Sequence, residues 1–238
     1  MMQFMKKFIY IFIIFLTCQF YFTAIPSFAV YNDLGLWAPT YILLPVNNKF
    51  KVNLEINPRI QKNIGHINQL FVRPSVGYQL TDNLSIWQGY GWITNYIPRF
   101  IREERIWQQI LHEKHFSKCK LINRLRLEER FIQDINGVPL RMRYLFKFEF
   151  PFGKTKKWAF VTSDEPFINL DTHFKGPKAG VDQNRFFIGL NRKLSNNVTL
   201  EGGYQMQYLN RRSPMQDKLN HIILINMYFN LPQLIKSK

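Results

Sequence analysis

The chain has 238 residues, 46% hydrophobic and 16% aromatic, and carries 32 Lys and Arg against 16 Asp and Glu, a net charge of +16. This length suits a single domain, and beyond the N-terminus no apolar run approaches the ~20 residues that a membrane-crossing helix needs. The positive balance raises nucleic-acid binding, but the basic residues are spread along the whole chain between apolar ones. There is no basic helix, finger spacing or aromatic RNA-binding motif, so no nucleic-acid partner is expected.

Taken in order, residues 1–29 read as a secretory signal peptide. Lys6 and Lys7 form its basic start, Phe8–Leu16 its apolar core, and Ser27 and Ala29 place small residues at −3 and −1, with cleavage expected before Val30. Residues 30–238 then form the mature domain. Cys119 is left as its single cysteine, so no internal disulfide can form.

From Leu34 onward the pattern has a period of two, which marks strands with chemically different faces. Leu34–Leu44 is a first strand, with a turn over Pro45–Lys49. Phe50–Arg59 sets Phe50, Val52, Leu54 and Ile56 against Lys51, Asn53, Glu55, Asn57 and Arg59. After a polar loop, Gln61–Asn68, the strand Leu70–Leu80 sets Val72, Val76 and Tyr78 against Arg73, Ser75, Gly77 and Gln79. Thr81–Asn83 is a tight turn and Leu84–Ile93 the next strand. Ile101–Lys114 is a long strand whose faces the pattern leaves unassigned.

The clearest passage is Lys120–Phe152. Leu140, Met142, Tyr144, Phe146, Phe148, Phe150 and Phe152 alternate with Arg141, Arg143, Lys147 and Glu149, and the preceding half sets Leu121, Leu125, Leu127 and Phe131 against Arg124, Arg126, Glu128 and Arg130. The intervening Asp134–Pro139 supplies turn chemistry, so the passage is a β-hairpin. Beyond it come a strand over Trp158–Leu170, the longest loop at Asp171–Asp182, and strands over Gln183–Leu194, Val198–Tyr208 and Asn220–Phe229.

One face of these strands is large and aromatic; the other is charged with both signs. That division suits lipid on one side and a wet, ion-paired lumen on the other. The strands run ~10–13 residues, a bilayer-crossing length rather than the ~5–6 of soluble strands. Turns alternate short and long, and Tyr78, Tyr90, Trp92, Trp158, Tyr208 and Tyr228 fall near strand ends, as interfacial aromatics do. The expected fold is all-β: a single antiparallel up-and-down transmembrane β-barrel. Eleven strands can be counted, but single-chain bacterial barrels have an even number, so about twelve are expected, with ten as the alternative. The expected location is the outer membrane of a Gram-negative bacterium.

The block NRLRLEERF at 123–131 is followed by Arg141-Met142-Arg143-Tyr144, Asp164-Glu165-Pro166-Phe167, Asp182-Gln183-Asn184-Arg185 and Glu201-Gly202-Gly203-Tyr204. With VRPSVGY at 72–78 and Gly89-Tyr90, this series resembles, in order and spacing, bacterial proteins grouped as domain of unknown function 2490. The resemblance covers about Leu34–Phe229. It implies an outer-membrane-type β-barrel and no particular activity. Many such barrels end on an aromatic that assembly machinery reads; here Phe229 is followed by Asn230–Lys238.

The candidate site is the charged face itself. Arg73, Arg124, Arg126, Glu128, Arg130, Arg141, Arg143, Lys147, Glu149, Arg185 and Glu201 are expected to point into the lumen. Charges buried without partners cost several kcal/mol each, so this interior must be hydrated, cross-paired, or both. It is read as a salt-bridged plug or, alternatively, as an anion-favouring narrow channel. Expected partners are outer-membrane lipids and lipopolysaccharide, the barrel assembly machinery and small anionic solutes. No catalytic residue is assigned, because none of His66, His112, His115, His173 or His221 has a spacing that pairs it with a serine on its own strand face. No metal site or cofactor is assigned either. Asp164, Glu165 and Asp171 are read as partners of lumen arginines rather than as calcium ligands. Two rivals remain: a membrane-embedded lipid-modifying hydrolase, and a soluble periplasmic lipid-binding barrel, which needs the opposite orientation of the same two faces.

Overall fold

The computed structural model describes residues 31–211 and 216–235, and the expected signal peptide lies outside them. Twelve strands form one sheet: β1 (Tyr31–Trp37), β2 (Thr40–Pro45), β3 (Phe50–Gln61), β4 (His66–Thr81), β5 (Leu84–Asn95), β6 (Ile101–His115), β7 (Lys120–Ile132), β8 (Leu140–Phe152), β9 (Trp158–Asn169), β10 (Gly180–Lys193), β11 (Val198–Leu209) and β12 (Lys218–Asn230). From β2 to β12 each strand pairs antiparallel with the next, and the sheet closes on itself as a barrel.

The closure explains why the sequence counts to an odd number. β1 pairs parallel with β12 from Tyr31↔Lys218 to Trp37↔Leu224, and β2 continues the same register from Thr40↔Met227 to Leu43↔Asn230. On their other side both pair antiparallel with β3. The two strands are therefore halves of one stave, interrupted at Ala38 and Pro39. Proline has no N–H to give the ladder, yet the seam stays bonded: Pro39 O accepts from Met227 N at 2.9 Å, and Ala38 N donates to Pro58 O at 3.2 Å. Twelve strands thus make an eleven-stave barrel, antiparallel except at one parallel seam. Parallel closure lets an odd number of staves close.

The connections at one end are short (46–49, 82–83, 116–119, 153–157, 194–197) and those at the other are mostly longer (62–65, 96–100, 133–139, 170–179, 210–217). The β3–β4 connection is tighter than the polar loop expected from Gln61 to Asn68. Lys62, Asn63 and Ile64 all take the left-handed conformation, with φ of 54°, 55° and 62°, so both strands extend into that segment. Such backbone is costly for residues with a Cβ. It is held by Asp33, whose carboxylate accepts Lys62 N at 3.3 Å and Asn63 N at 3.0 Å.

The faces are inverted relative to a water-soluble barrel. Outward lie Phe50, Val52, Ile56, Val76, Ile86, Ile106, Ile110, Leu125, Leu127, Ile188, Leu190, Ile223 and Ile225, all substantially exposed. Buried inward lie Glu55, Asn57, Arg59, Arg73, Glu103, Arg105, Arg126, Glu128, Arg141, Arg143, Glu165 and Glu201. The interior is also packed with apolar groups: Trp37, Val161, Phe187, Ile222 and Leu224 form a cluster on the β1, β9, β10 and β12 side. Tyr228, expected among the interfacial aromatics, instead faces inward and stacks on Tyr41 at 5.0 Å between ring centroids.

Candidate functional site

The interior is organised around carboxylates, each held by more than one donor. Glu128 is 0% exposed. Arg141 donates to it from Nε at 3.0 Å and Nη2 at 2.5 Å, and Arg143 from Nη1 at 2.6 Å. Arg105 and Arg126 stand 3.7 and 3.9 Å away. Arg143 also reaches Glu165, from Nε at 3.1 Å and Nη2 at 2.8 Å, where Arg124 donates at 2.7 Å. A single guanidinium thus bridges two buried carboxylates, which its planar fork of donors permits and a lysine would not.

Around this centre sit three further pairs. Glu103 accepts from Arg105 at 2.7 Å and from Arg130 at 2.6 Å. Glu55 is paired with Arg73 and accepts from Asn57 at 3.3 Å. Glu201 accepts from Lys147 at 2.6 Å, Asn226 at 2.8 Å and Tyr228 at 3.2 Å, while Lys147 also stands 3.5 Å from Glu149. Two of these contacts join strands that are not neighbours, β7 to β9 through Arg124–Glu165 and β8 to β11 through Lys147–Glu201. They cross the lumen.

Of the eleven charged residues named from the sequence, Arg73, Arg126, Glu128, Arg141, Arg143 and Glu201 are buried and Arg124, Arg130, Lys147, Glu149 and Arg185 are partly buried; Glu55, Arg59, Glu103, Arg105 and Glu165 are buried beside them. Arg59 and Glu55 were legible on the polar face of their strand. Glu103 and Arg105 were not, because β6 carries Glu104, Gln108 and His112 on its outer face too, so alternation gives no contrast there. Asp164 lies in β9, facing outward and accepting from Asn184 at 3.0 Å, and Asp171 pairs with His173 at 3.2 Å.

Three inward arginines have no carboxylate closer than 3.9 Å: Arg59, Arg126 and Arg185. Each lies instead over aromatic rings. The Arg59 guanidinium carbon is 3.6 Å from the Trp37 ring centre and 4.0 Å from that of Phe71. Arg126 is 3.8 Å from Trp107, and Arg185 is 4.5 Å from Phe167 and 5.0 Å from Trp37. The negative ring face attracts a cation, most strongly where water is excluded. The inward aromatics therefore offset charge that the glutamates leave over, a role that alternation alone could not reveal. Gly89 makes one of these stacks possible: a Cβ there would lie 2.1 Å from the Trp107 ring.

Besides Asp164 and Asn184, the outer face carries polar groups elsewhere. On β5–β7, Gln88, Glu104, Gln108 and Glu129 interrupt the aliphatic surface, with Gln108 donating to Glu129 at 3.4 Å. Beside the parallel seam, His221 is bonded to the Tyr204 hydroxyl at 2.7 Å and lies 3.3 Å from Asn32 Oδ1, tying β11, β12 and β1 together. At the long-loop end a cavity of about 520 Å³ opens into the barrel, walled by Asp33, Gln61, Lys62, Asn169, Lys178, Asp182 and Lys218 among others.

Comparison with known proteins gives a family and no activity. Residues 34–218 match the family described as protein of unknown function (DUF2490). An uncharacterised protein of Methylorubrum extorquens is 32% identical over 203 residues, spanning 83% of this chain and 87% of that protein.

Proposed function

The chain belongs to the DUF2490 family of proteins of unknown function, and on the arrangement of its own residues we propose that it is an integral outer-membrane β-barrel with an occluded interior. One observation carries the reading: the barrel is polar inside and apolar outside. Apolar surface left in water costs roughly 25 cal/mol per Å², whereas the same surface in lipid costs nothing. Buried charges, conversely, need partners, and most of these have a carboxylate while the rest lie over aromatic rings. A soluble lipid carrier would require the reverse arrangement.

Other features support the same reading. β3–β12 span 12 to 16 residues, and a tilted strand needs only ~9–11 to cross the hydrocarbon. Phe50, Tyr78, Phe152 and Trp158 ring the short-turn end, and Tyr96, Phe100, Phe131 and Tyr208 lie towards the long-loop end, the positions that interfacial aromatics favour. Lipids would contact the aliphatic belt, lipopolysaccharide the long-loop rim, and the assembly machinery would insert the chain.

Occlusion follows from how the interior is filled. Glu128, Val161 and Ile222 are each 0% exposed, which supports a closed charged layer with an apolar neighbour. The role that fits is structural, or transport only after the layer opens. Fractionation with heat-modifiable gel migration, followed by planar-bilayer recording, tests this. The barrel should sediment with the outer membrane, run faster unboiled and show no steady conductance. Recovery in the soluble periplasmic fraction overturns the membrane reading, and a stable open current overturns occlusion.

A further inference from the structure

Among the described residues, several buried donors have no acceptor, Arg73 Nε, Arg124 Nε, Trp107 Nε1 and Gln205 Nε2 among them, and three more come together at Arg59, Arg185 and Trp37. Arg59 is 5% exposed, has no carboxylate within 4.0 Å among the described residues, and donates from Nη1 to Gln69 Oε1 at 3.2 Å. Arg185 has only Glu165, at 4.0 Å. Both guanidinium groups lie against the same Trp37 ring. Arg59 Nε, Arg185 Nε and Trp37 Nε1 are all buried without an acceptor. A buried N–H without a partner is destabilising, and three in one cluster, two of them on cations, call for an acceptor carrying negative charge.

The cluster also lies next to residues that wall the long-loop cavity. Gln61 and Asn169 wall the cavity at the long-loop end. The next inward positions on their strands, one step deeper, are Arg59 and Phe167, and Arg185 lies over Phe167 at 4.5 Å. Arg59 and Phe167 thus stand one inward step from two of the cavity's wall residues.

We propose that Arg59 and Arg185, with Trp37 Nε1, bind a small oxyanion, a phosphate or carboxylate group, that enters through the long-loop cavity. Guanidinium forks match the two oxygens of such a head better than they match a single halide. This site needs only the charged interior. It does not depend on where the barrel resides.

The test is equilibrium binding of radiolabelled inorganic phosphate to the full-length mature barrel refolded in detergent, with heat-modifiable migration confirming that each variant is folded. Saturable binding of one phosphate per barrel is expected. Arg59→Gln and Arg185→Gln should each weaken it by at least ~10-fold, the equivalent of one charge-assisted bond. Arg59→Lys, which keeps the charge, should weaken it less than Arg59→Gln, and excess acetate should displace the label. Linear, non-saturable uptake overturns the proposal, as does unchanged affinity in folded Arg59→Gln or Arg185→Gln. Displacement by chloride as readily as by acetate overturns the oxyanion assignment. Cell fractionation can fail while phosphate still binds, and the reverse, so the two readings are separable.

Discussion

Glu128 shows what a single inward residue is asked to do. Its carboxylate accepts three hydrogen bonds from two arginines, and two further guanidinium groups stand within 4.0 Å. A buried ion pair often contributes little net stability over an apolar replacement, but removing one partner leaves uncompensated charge at a cost of about 3–5 kcal/mol. Glu128→Gln should therefore lower the stability of the refolded barrel by that amount, read from its urea unfolding midpoint. Adding Arg141→Met should recover part of the loss, because the cation that gave Glu128 two of its three hydrogen bonds leaves with it. At the rim, His173 donates through Nδ1–H to the Asn136 carbonyl at 2.9 Å, and its Nε2 lies 3.2 Å from Asp171. The carbonyl first, and then the carboxylate, favour the imidazolium and hold its pKa above the ordinary value, which is about 6.5. The tie between the β7–β8 and β9–β10 loops should thus be fully present below about pH 6.5 and be lost as pH rises through the raised value. Hydrogen exchange in residues 170–179 should quicken across that window, and His173→Gln should abolish the pH dependence.

At the scale of elements, two devices hold the barrel wall in shape. The first is the seam, where an interrupted stave closes the sheet in parallel and Asp33 reaches over to fix the left-handed β3–β4 turn while pairing with Lys218 at 2.8 Å. Asp33→Ala removes both contacts. It should destabilise the barrel by about 1–3 kcal/mol, with protease nicking near 62–65 before global unfolding. The second is the pairing of inward glycine with inward tryptophan across neighbouring strands, Gly77 with Trp87 and Gly89 with Trp107. Gly89→Ala should push the Trp107 ring off Arg126, cost about 1–3 kcal/mol by overpacking, and alter the near-ultraviolet circular dichroism. Alternation on β3, β7, β8, β10 and β11 made these strands legible in the sequence, because each has one aliphatic face and one polar face. β6 was not legible, since Glu104 and Gln108 put polar groups on its outer side as well. The β3–β4 turn was misjudged for a different reason: polar residues from 62 to 68 look like a loop, while the partner that tightens them, Asp33, lies some thirty positions earlier.

At the scale of the whole molecule, periodicity revealed two unlike faces but could not say which was inside, since a carrier and a membrane barrel share the same alternation. Closure decided it. Eleven staves wrap around the charged face, and the lumen then fills itself with ion pairs and with Trp37, Trp107 and Phe167, aromatics that belong to the inner face despite their chemistry. Parity could not be read from the strand count either, because it depends on which end the first stave pairs from. The central claim is that the outward aliphatic face meets lipid. Nitroxide labels at Leu125→Cys, Ile188→Cys and Ile223→Cys, each in a Cys119→Ser background and reconstituted in phospholipid bilayers, test it on three sides of the wall. All three should collide more with oxygen, which partitions into lipid, than with a water-soluble nickel chelate, while a label at Ser195→Cys in a turn should do the opposite. Preferential collision with the nickel reagent at the three wall positions would contradict the account.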